Sequence, residues 1–98
     1  MKREDTERLD AVFHALADST RRTILQELAK REDQSLYEIC IRLSEEHGLS
    51  MKRQSISKHL SVLEEAGLIS TNWQGRTKLH STTLPEAIPF ISQWLKNH

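Results

Sequence analysis

At Gly67 the hydrophobic period of the chain changes. Before it, Ile56, Leu60 and Leu63 recur at i, i+4 and i+7, the spacing of one face of an α-helix. After it, Leu68-Ile69-Ser70-Thr71-Asn72-Trp73 is β-branched and aromatic. Gln74-Gly75 is turn material, and Thr77-Lys78-Leu79-His80-Ser81-Thr82 reads as a second strand. A helix over Ser50–Gly67 therefore runs directly into a β-hairpin, and Gly67 is the stop signal between them.

The rest of the chain reads as helices around that junction. Leu9, Val12, Phe13 and Leu16 fall at i, i+3, i+4 and i+7, which predicts a helix from about Asp5 to Ala17, buried on one side. Asp18-Ser19-Thr20 offers side-chain oxygens to cap a second helix, whose core face is Ile24, Leu25 and Leu28. Arg21 and Arg22 stand in its first turn, against the helix dipole; either a partner anion or a carboxylate such as Asp18 would hold them there. Residues 30–34 are a charged connector. Ser35-Leu36-Tyr37-Glu38 has the form of a capping box, and Leu36, Ile39, Cys40 and Leu43 follow as an apolar stripe. Gly48 suits a left-handed helix end, and Ser50 is placed to cap the next helix. Residues 35–67 thus read as helix, turn, helix.

Leu84-Pro85-Glu86 opens a last helix to about Asn97, and Pro89 still lies where the backbone N–H has little or no intrahelical partner. Ile88, Ile91 and Leu95 form one stripe there, with Phe90 and Trp94 beside it. That is too much apolar surface for a terminal helix facing water, so it should pack on the first helix of a second copy. The candidate dimer contacts are Leu9, Val12, Ile88, Ile91, Trp94 and Leu95.

Composition limits the alternatives. A chain of 98 residues with 37% hydrophobic content makes one domain, 1–98, with a modest core that dimerisation would reinforce. No run approaches the roughly 18 apolar residues of a membrane span. The N-terminus lacks the apolar core of a secretory signal, so a cytoplasmic protein is expected, with no membrane partner. Cys40 is the only cysteine; this excludes an intramolecular disulfide, and its stripe position reads as a small core residue. Net charge is zero, but residues 50–80 hold five basic side chains against two acidic ones, while residues 1–49 hold eight against eleven. Positive charge therefore gathers on one helix and the hairpin after it, as a DNA-reading surface requires.

On the helix before Gly67, Gln54, Ser57, Lys58 and Ser61 share a polar face of the residue types that hydrogen-bond base edges and phosphates. The order helix, helix, helix-turn-helix, hairpin, helix is that of a winged helix-turn-helix domain: mainly α (α+β), four helices, a two-stranded wing and a C-terminal dimerisation helix. The run Phe13-His14-Ala15-Leu16-Ala17-Asp18-Ser19-Thr20-Arg21-Arg22-Thr23-Ile24-Leu25 resembles the opening signature of the ArsR/SmtB repressors. So does Ile56-Ser57-Lys58-His59-Leu60-Ser61-Val62-Leu63-Glu64-Glu65-Ala66-Gly67-Leu68-Ile69, and Gly75-Arg76 with Leu79-His80 is similar to the family's wing.

The resemblance implies a homodimer, a recognition helix in the major groove of double-stranded DNA, and repression of transcription. Ser57, Lys58 and His59 match the family's Ser-Arg-His core, with Lys where Arg is commoner. Phosphate contacts are expected from Lys52, Arg53, Arg76 and Lys78, and base contacts from Gln54, Ser57 and Lys58. Ser55 and Ser61 join them on the DNA side, and His59 is expected to bond a backbone group or a phosphate. Residues 44–53 exceed the family's usual short turn by about six residues. Either the preceding helix runs on to His47, or the recognition helix starts early and adds Lys52 and Arg53 to the DNA side.

Metal sensing is the family's best-known activity, yet Cys40 stands alone where that resemblance implies a cysteine pair. Residues 85–98 offer only Glu86 and His98. No convergent ligand set is assembled from this sequence, so no metal and no cofactor are expected. Nor is an enzyme: there is no Gly-rich phosphate loop and no nucleophile elbow, and Ser57 and His59 diverge on their helix. The rival to a DNA-binding repressor is a winged-helix protein–protein module with vestigial DNA binding; a thiol sensor acting through Cys40 is a third reading. No inducer site is evident.

Overall fold

The computed structural model of the protein describes residues 2–98. Their helical periods become α1 (Arg3–Leu16), α2 (Ser19–Lys30), α3 (Leu36–His47), α4 (Arg53–Glu65) and α5 (Leu84–Lys96), and the strand-like stretch becomes β2 (Ile69–Gln74) and β3 (Thr77–Thr82). A further short strand, β1 (Gln34–Ser35), pairs with β3, so the sheet has three antiparallel strands in the order β1-β3-β2. The expected two-stranded wing is present as β2 and β3, and β1 extends it to a three-stranded sheet. Two residues are too few to show a period, and what recruits them is tertiary. Gln34 lies opposite His80, whose Nδ1 donates to the Gln34 carbonyl at 2.9 Å, and Ser81 Oγ accepts from the Asp33 N–H at 3.0 Å.

The end signals act as read, with one exception. Asp18 Oδ2 accepts from the Arg21 N–H at 3.0 Å at the start of α2. The Ser35–Glu38 capping box closes in both directions at 3.1 Å. The long turn is resolved in favour of α3, which runs on to His47 and ends at Gly48 with φ +66°. The Leu49 N–H then returns to the Leu43 carbonyl at 2.9 Å, and the Leu49 side chain packs on the core. The exception is Ser50. The N-cap of α4 is Lys52, without a side-chain hydrogen bond, because Ser50 lies two residues upstream of the position where a hydroxyl reaches the first free N–H groups. At Gly48 a Cβ would meet nothing within 4 Å, so Gly48→Ala carries only the left-handed backbone cost. Thermal unfolding is expected to show a loss of about 1–2 kcal/mol.

Within the protomer, the guanidinium groups of Arg21 and Arg22 bond backbone carbonyls rather than a carboxylate side chain. Arg21 Nε donates to the Ala15 carbonyl at 2.8 Å and its terminal nitrogen to the His14 carbonyl at 2.9 Å, while Arg22 donates to the Leu16 carbonyl at 2.6 Å. The two arginines thus satisfy the open carbonyls of α1 and place positive charge at the negative end of its dipole.

The core gathers one face of each of the first four helices with the base of the sheet: Ile24, Leu28, Ile39, Leu43, Ile56, Leu63 and Leu68 are its largest buried apolar side chains. Beside it lies a buried charge. Glu27, with no exposed surface, accepts at Oε2 from Arg31 at 3.0 Å and from Gln34 Nε2 at 3.1 Å. His47 Nε2 lies 3.5 Å from its Oε1, Arg42 Nε lies 3.9 Å from its Oε2, and Arg31 also grips Glu46. Burial alone pushes the Glu27 carboxyl upward, but the hydrogen bonds from Gln34 and Arg31 outweigh it and hold the group below its ordinary value. This hub joins α2 to β1 and to the last turn of α3.

Two expected dimer contacts are corrected. Leu9 and Val12 lie in the interior of the protomer, because the buried stripe of α1 faces α2 and α4 rather than a second copy. Phe13, expected inside, is 40% exposed at the edge, where it meets Trp94 of α5 edge to face at 5.8 Å. α5 buries only Ala87 completely, with Leu84 and Ile91 packed on the core, and leaves Ile88 and Leu95 more than half exposed. Pro89 does not interrupt it. No helix of the described residues is long and apolar enough to cross a membrane.

Candidate nucleic-acid interface

α4 shows two chemically opposite faces. Ile56, Leu60 and Leu63 are buried, and this fixes the outward direction of Arg53, Gln54, Ser57, Lys58 and Ser61, all exposed. Lys52, at the N-cap, is exposed as well, while Ser55 is half-buried at the margin. After Gly67, with φ +75°, the chain turns into β2 and the hairpin folds back over the flank of α4.

Between them lies an open cleft of about 460 Å³. Its α4 wall is Arg53, Ser57, Ser61 and Glu64; Trp73, Arg76 and Lys78 form the wing side, and Tyr37 stands at the start of α3. Arg76 occupies the two-residue turn of the hairpin and is exposed. Lys78 is not free in the same sense: its Nζ lies 3.5 Å from Glu64 Oε1, while Glu64 Oε2 accepts from Thr71 Oγ1 at 3.0 Å. Of the two acids in the recognition motif, Glu64 is thereby paired with the wing and ties it to α4. Of the five basic residues expected on the DNA side, Lys52, Arg53, Lys58 and Arg76 remain exposed, and Lys78 sits at the joint.

His59 lies at the side of the reading face, one step off the polar stripe. Its side chain turns toward α2, where Nδ1 lies 3.2 Å from an Arg21 terminal nitrogen and 3.9 Å from Asp18 Oδ2. The position one step off the polar stripe directs the ring into the seam between helices, so it meets side chains of its own chain. Conversely, two aromatic residues of the cleft escaped the sequence reading. Trp73 is 67% and Tyr37 63% exposed. For Trp73 the signal was present: it alternates with Ile69 and Thr71, and so faces α4 with them. Tyr37 lies beside the apolar stripe of α3, and nothing local marks it as a cleft residue.

Among the described residues, one group, Glu27, Glu46 and His47, brings candidate metal-ligand atoms within 4.8 Å of one another. Arg31 already bonds both carboxylates, and Arg42 stands close by, so the negative charge there is spoken for. Cys40 is partly buried, and burial pushes its thiol above the ordinary value against the smaller pull of Arg53. That is the reverse of the activation a reactive thiol needs.

Comparison with known proteins matches this geometry. A family profile described as a helix-turn-helix domain matches residues 16–72. The chain is 53% identical over 70 residues to the HTH-type transcriptional regulator YuzN of Bacillus subtilis (strain 168), covering 71% of this chain and 76% of that protein. It is 34% identical over 92 residues to the transcriptional repressor SdpR of the same organism, covering 91% of this chain and 90% of that protein. Among solved structures, an ArsR-like transcriptional regulator from Rhodococcus sp. RHA1 superposes with a TM-score of 0.79 at 33% identity, covering 99% of this chain and 82% of that one.

Proposed function

This chain belongs to the ArsR-type winged helix-turn-helix transcriptional regulators, and we propose that it acts as a homodimeric repressor that reads a near-palindromic operator. The observation that carries this reading is the exposed stripe Gln54, Ser57, Lys58 and Ser61, backed by the buried Ile56, Leu60 and Leu63 and flanked by the basic wing turn at Arg76. In a dimer, two α4 helices enter successive major grooves about 34 Å apart. Gln54, Ser57 and Lys58 address base edges; Lys52, Arg53 and Arg76 hold phosphates, and Ser55 and Ser61 add contacts at the edge. Lys78 contributes mainly by keeping the wing against α4.

The second copy is inferred from α5. Ile88 at 52% and Leu95 at 57% exposure, with Phe13 and Trp94 beside them, form an apolar face joining α5 to α1. Such a face is stable in water when another of its kind covers it. Repression, rather than activation, is supported by the relative SdpR, whose name records that activity.

The test is a gel shift on the DNA upstream of the protein's own gene, at two salt concentrations. Binding is expected to be selective and to weaken steeply with salt. Lys58→Ala is expected to lower affinity by about 1–3 kcal/mol, roughly 5- to 150-fold. A folded dimer that binds no duplex refutes the reading and favours a protein–protein module.

A further inference from the structure

We propose that the cleft between α4 and the wing seats the sugar–phosphate backbone of one DNA strand, with Trp73 packed against a deoxyribose as a sequence-independent anchor. The proposal deepens the reading of α4 as the DNA-reading helix and rests on it. Residues opposite each other in an antiparallel pair share one face of the sheet. Trp73 lies opposite Lys78, and the Lys78 ammonium reaches Glu64 of α4, so the indole faces α4 as well. Along that face toward the hairpin tip, contact with the protomer fades. Ile69 is buried, Thr71 bonds Glu64 at 3.0 Å, and Trp73 stands 67% exposed. Among the described residues no aromatic ring stacks on this indole and no guanidinium lies over it. A large apolar ring thus borders the cleft of about 460 Å³ with most of its surface uncovered. Tyr37, 63% exposed, adds a second ring from the start of α3.

The chemistry of the walls selects the occupant. Arg53 and Arg76 are exposed and, among the described residues, form no ion pair. Glu64, the acid of the cleft, is already held by Lys78 and Thr71, so the walls present positive charge. Ser57, Ser61 and Thr77 add hydroxyls that can donate to phosphate oxygens. Free guanidinium groups and hydroxyls beside exposed rings suit a strand in which anionic phosphates alternate with sugars. Continuity favours DNA over an acidic peptide. Ser57 and Ser61 belong both to the cleft and to the stripe with Gln54 and Lys58 that addresses base edges. A duplex whose bases meet that stripe carries its flanking backbone into the cleft.

The anchor has a signature that sets it apart from the basic residues around it. An indole is neutral and every nucleotide carries a sugar, so Trp73 adds affinity without counterion release and without sequence preference. Arg76, two residues past Gln74 in the same hairpin, adds charge and therefore salt dependence.

Affinity of the full-length protein is measured by fluorescence anisotropy across a salt series. Two labelled duplexes of equal length are used, one from upstream of its own gene and one of unrelated sequence. Trp73→Ala is expected to weaken both about tenfold and to leave the slope of log affinity against log salt unchanged. Arg76→Ala is the contrast and should reduce that slope by about one. Trp73→Phe keeps a ring and should recover most of the lost affinity. Unchanged affinity in Trp73→Ala overturns the anchor, as does a loss confined to the upstream duplex. A slope reduced as in Arg76→Ala also overturns it, because the indole would then only shape the wing that carries the charge. A second readout needs no change of affinity. The part of the tryptophan emission that disappears in Trp73→Phe should be shielded from acrylamide by either duplex, and an unshielded indole overturns the proposal. These outcomes leave the reading of α4 standing; wild-type protein that binds neither duplex overturns that reading and the anchor together.

Discussion

Glu27→Ala is expected to destabilise the fold by about 1–3 kcal/mol, the cost of removing the buried acceptor that Gln34, Arg31 and the half-buried Arg42 share. Four side chains converge on this carboxylate: Arg31, Gln34, Arg42 and His47. With about 4–8 °C of melting temperature per kcal/mol in a domain of this size, thermal unfolding should drop by about 4–24 °C. Differential scanning calorimetry at fixed protein concentration checks it, since the midpoint of the proposed dimer would depend on concentration. A loss below about 1 kcal/mol would show that water replaces the carboxylate and that the hub is not a structural centre. The pH dependence has a definite sign. The folded carboxyl lies below its ordinary value, so its contribution is complete above the unfolded value, about 4.3. It is lost as pH falls through the lower folded value. Glu27→Gln should therefore flatten the acid limb of the stability profile.

Leu95→Asp is expected to convert the protein to a folded monomer and to weaken operator binding by at least about a hundredfold, because the second half-site is no longer reached through a linked partner. Leu95 is 57% exposed in the protomer, so a carboxylate there costs the fold little and the dimer face much. Sedimentation together with circular dichroism separates the two effects. A dimer that persists with unchanged affinity would move the interface away from α5. Val12→Asp gives the contrast: Val12 has no exposed surface, so this substitution should unfold the protomer rather than divide the dimer.

The distinction between those two residues shows where the sequence stopped being informative. Val12 and Leu95 are both apolar residues on amphipathic terminal helices, and periodicity assigns each to a face without saying what the face meets. α1 turns its stripe to α2 and α4; α5 rests on Ala87, Leu84 and Ile91 and leaves the remainder open. Similarly, β1 was invisible because its two residues become a strand only when β3 lies alongside. Arg21 and Arg22 looked misplaced at a helix start because the carbonyls that need them belong to the preceding helix.

Local chemistry alone determined much of the rest. The boundaries of α2 and α3 follow from Asp18, the Ser35–Glu38 box and Gly48, all of which act within a few bonds along the chain. The helix at residues 53–65, its polar face and the hairpin beyond Gly67 follow from period and turn residues, which are also local. The tertiary structure decided the orientation of individual side chains at the seams. His59 lies against Arg21, Lys78 is drawn to Glu64, and Trp73 and Tyr37 enter the cleft. Those outcomes depend on which helix lies within about 3–4 Å of a given side chain, at the scale where hydrogen bonds and ion pairs act, and residue spacing along one element carries no record of that distance.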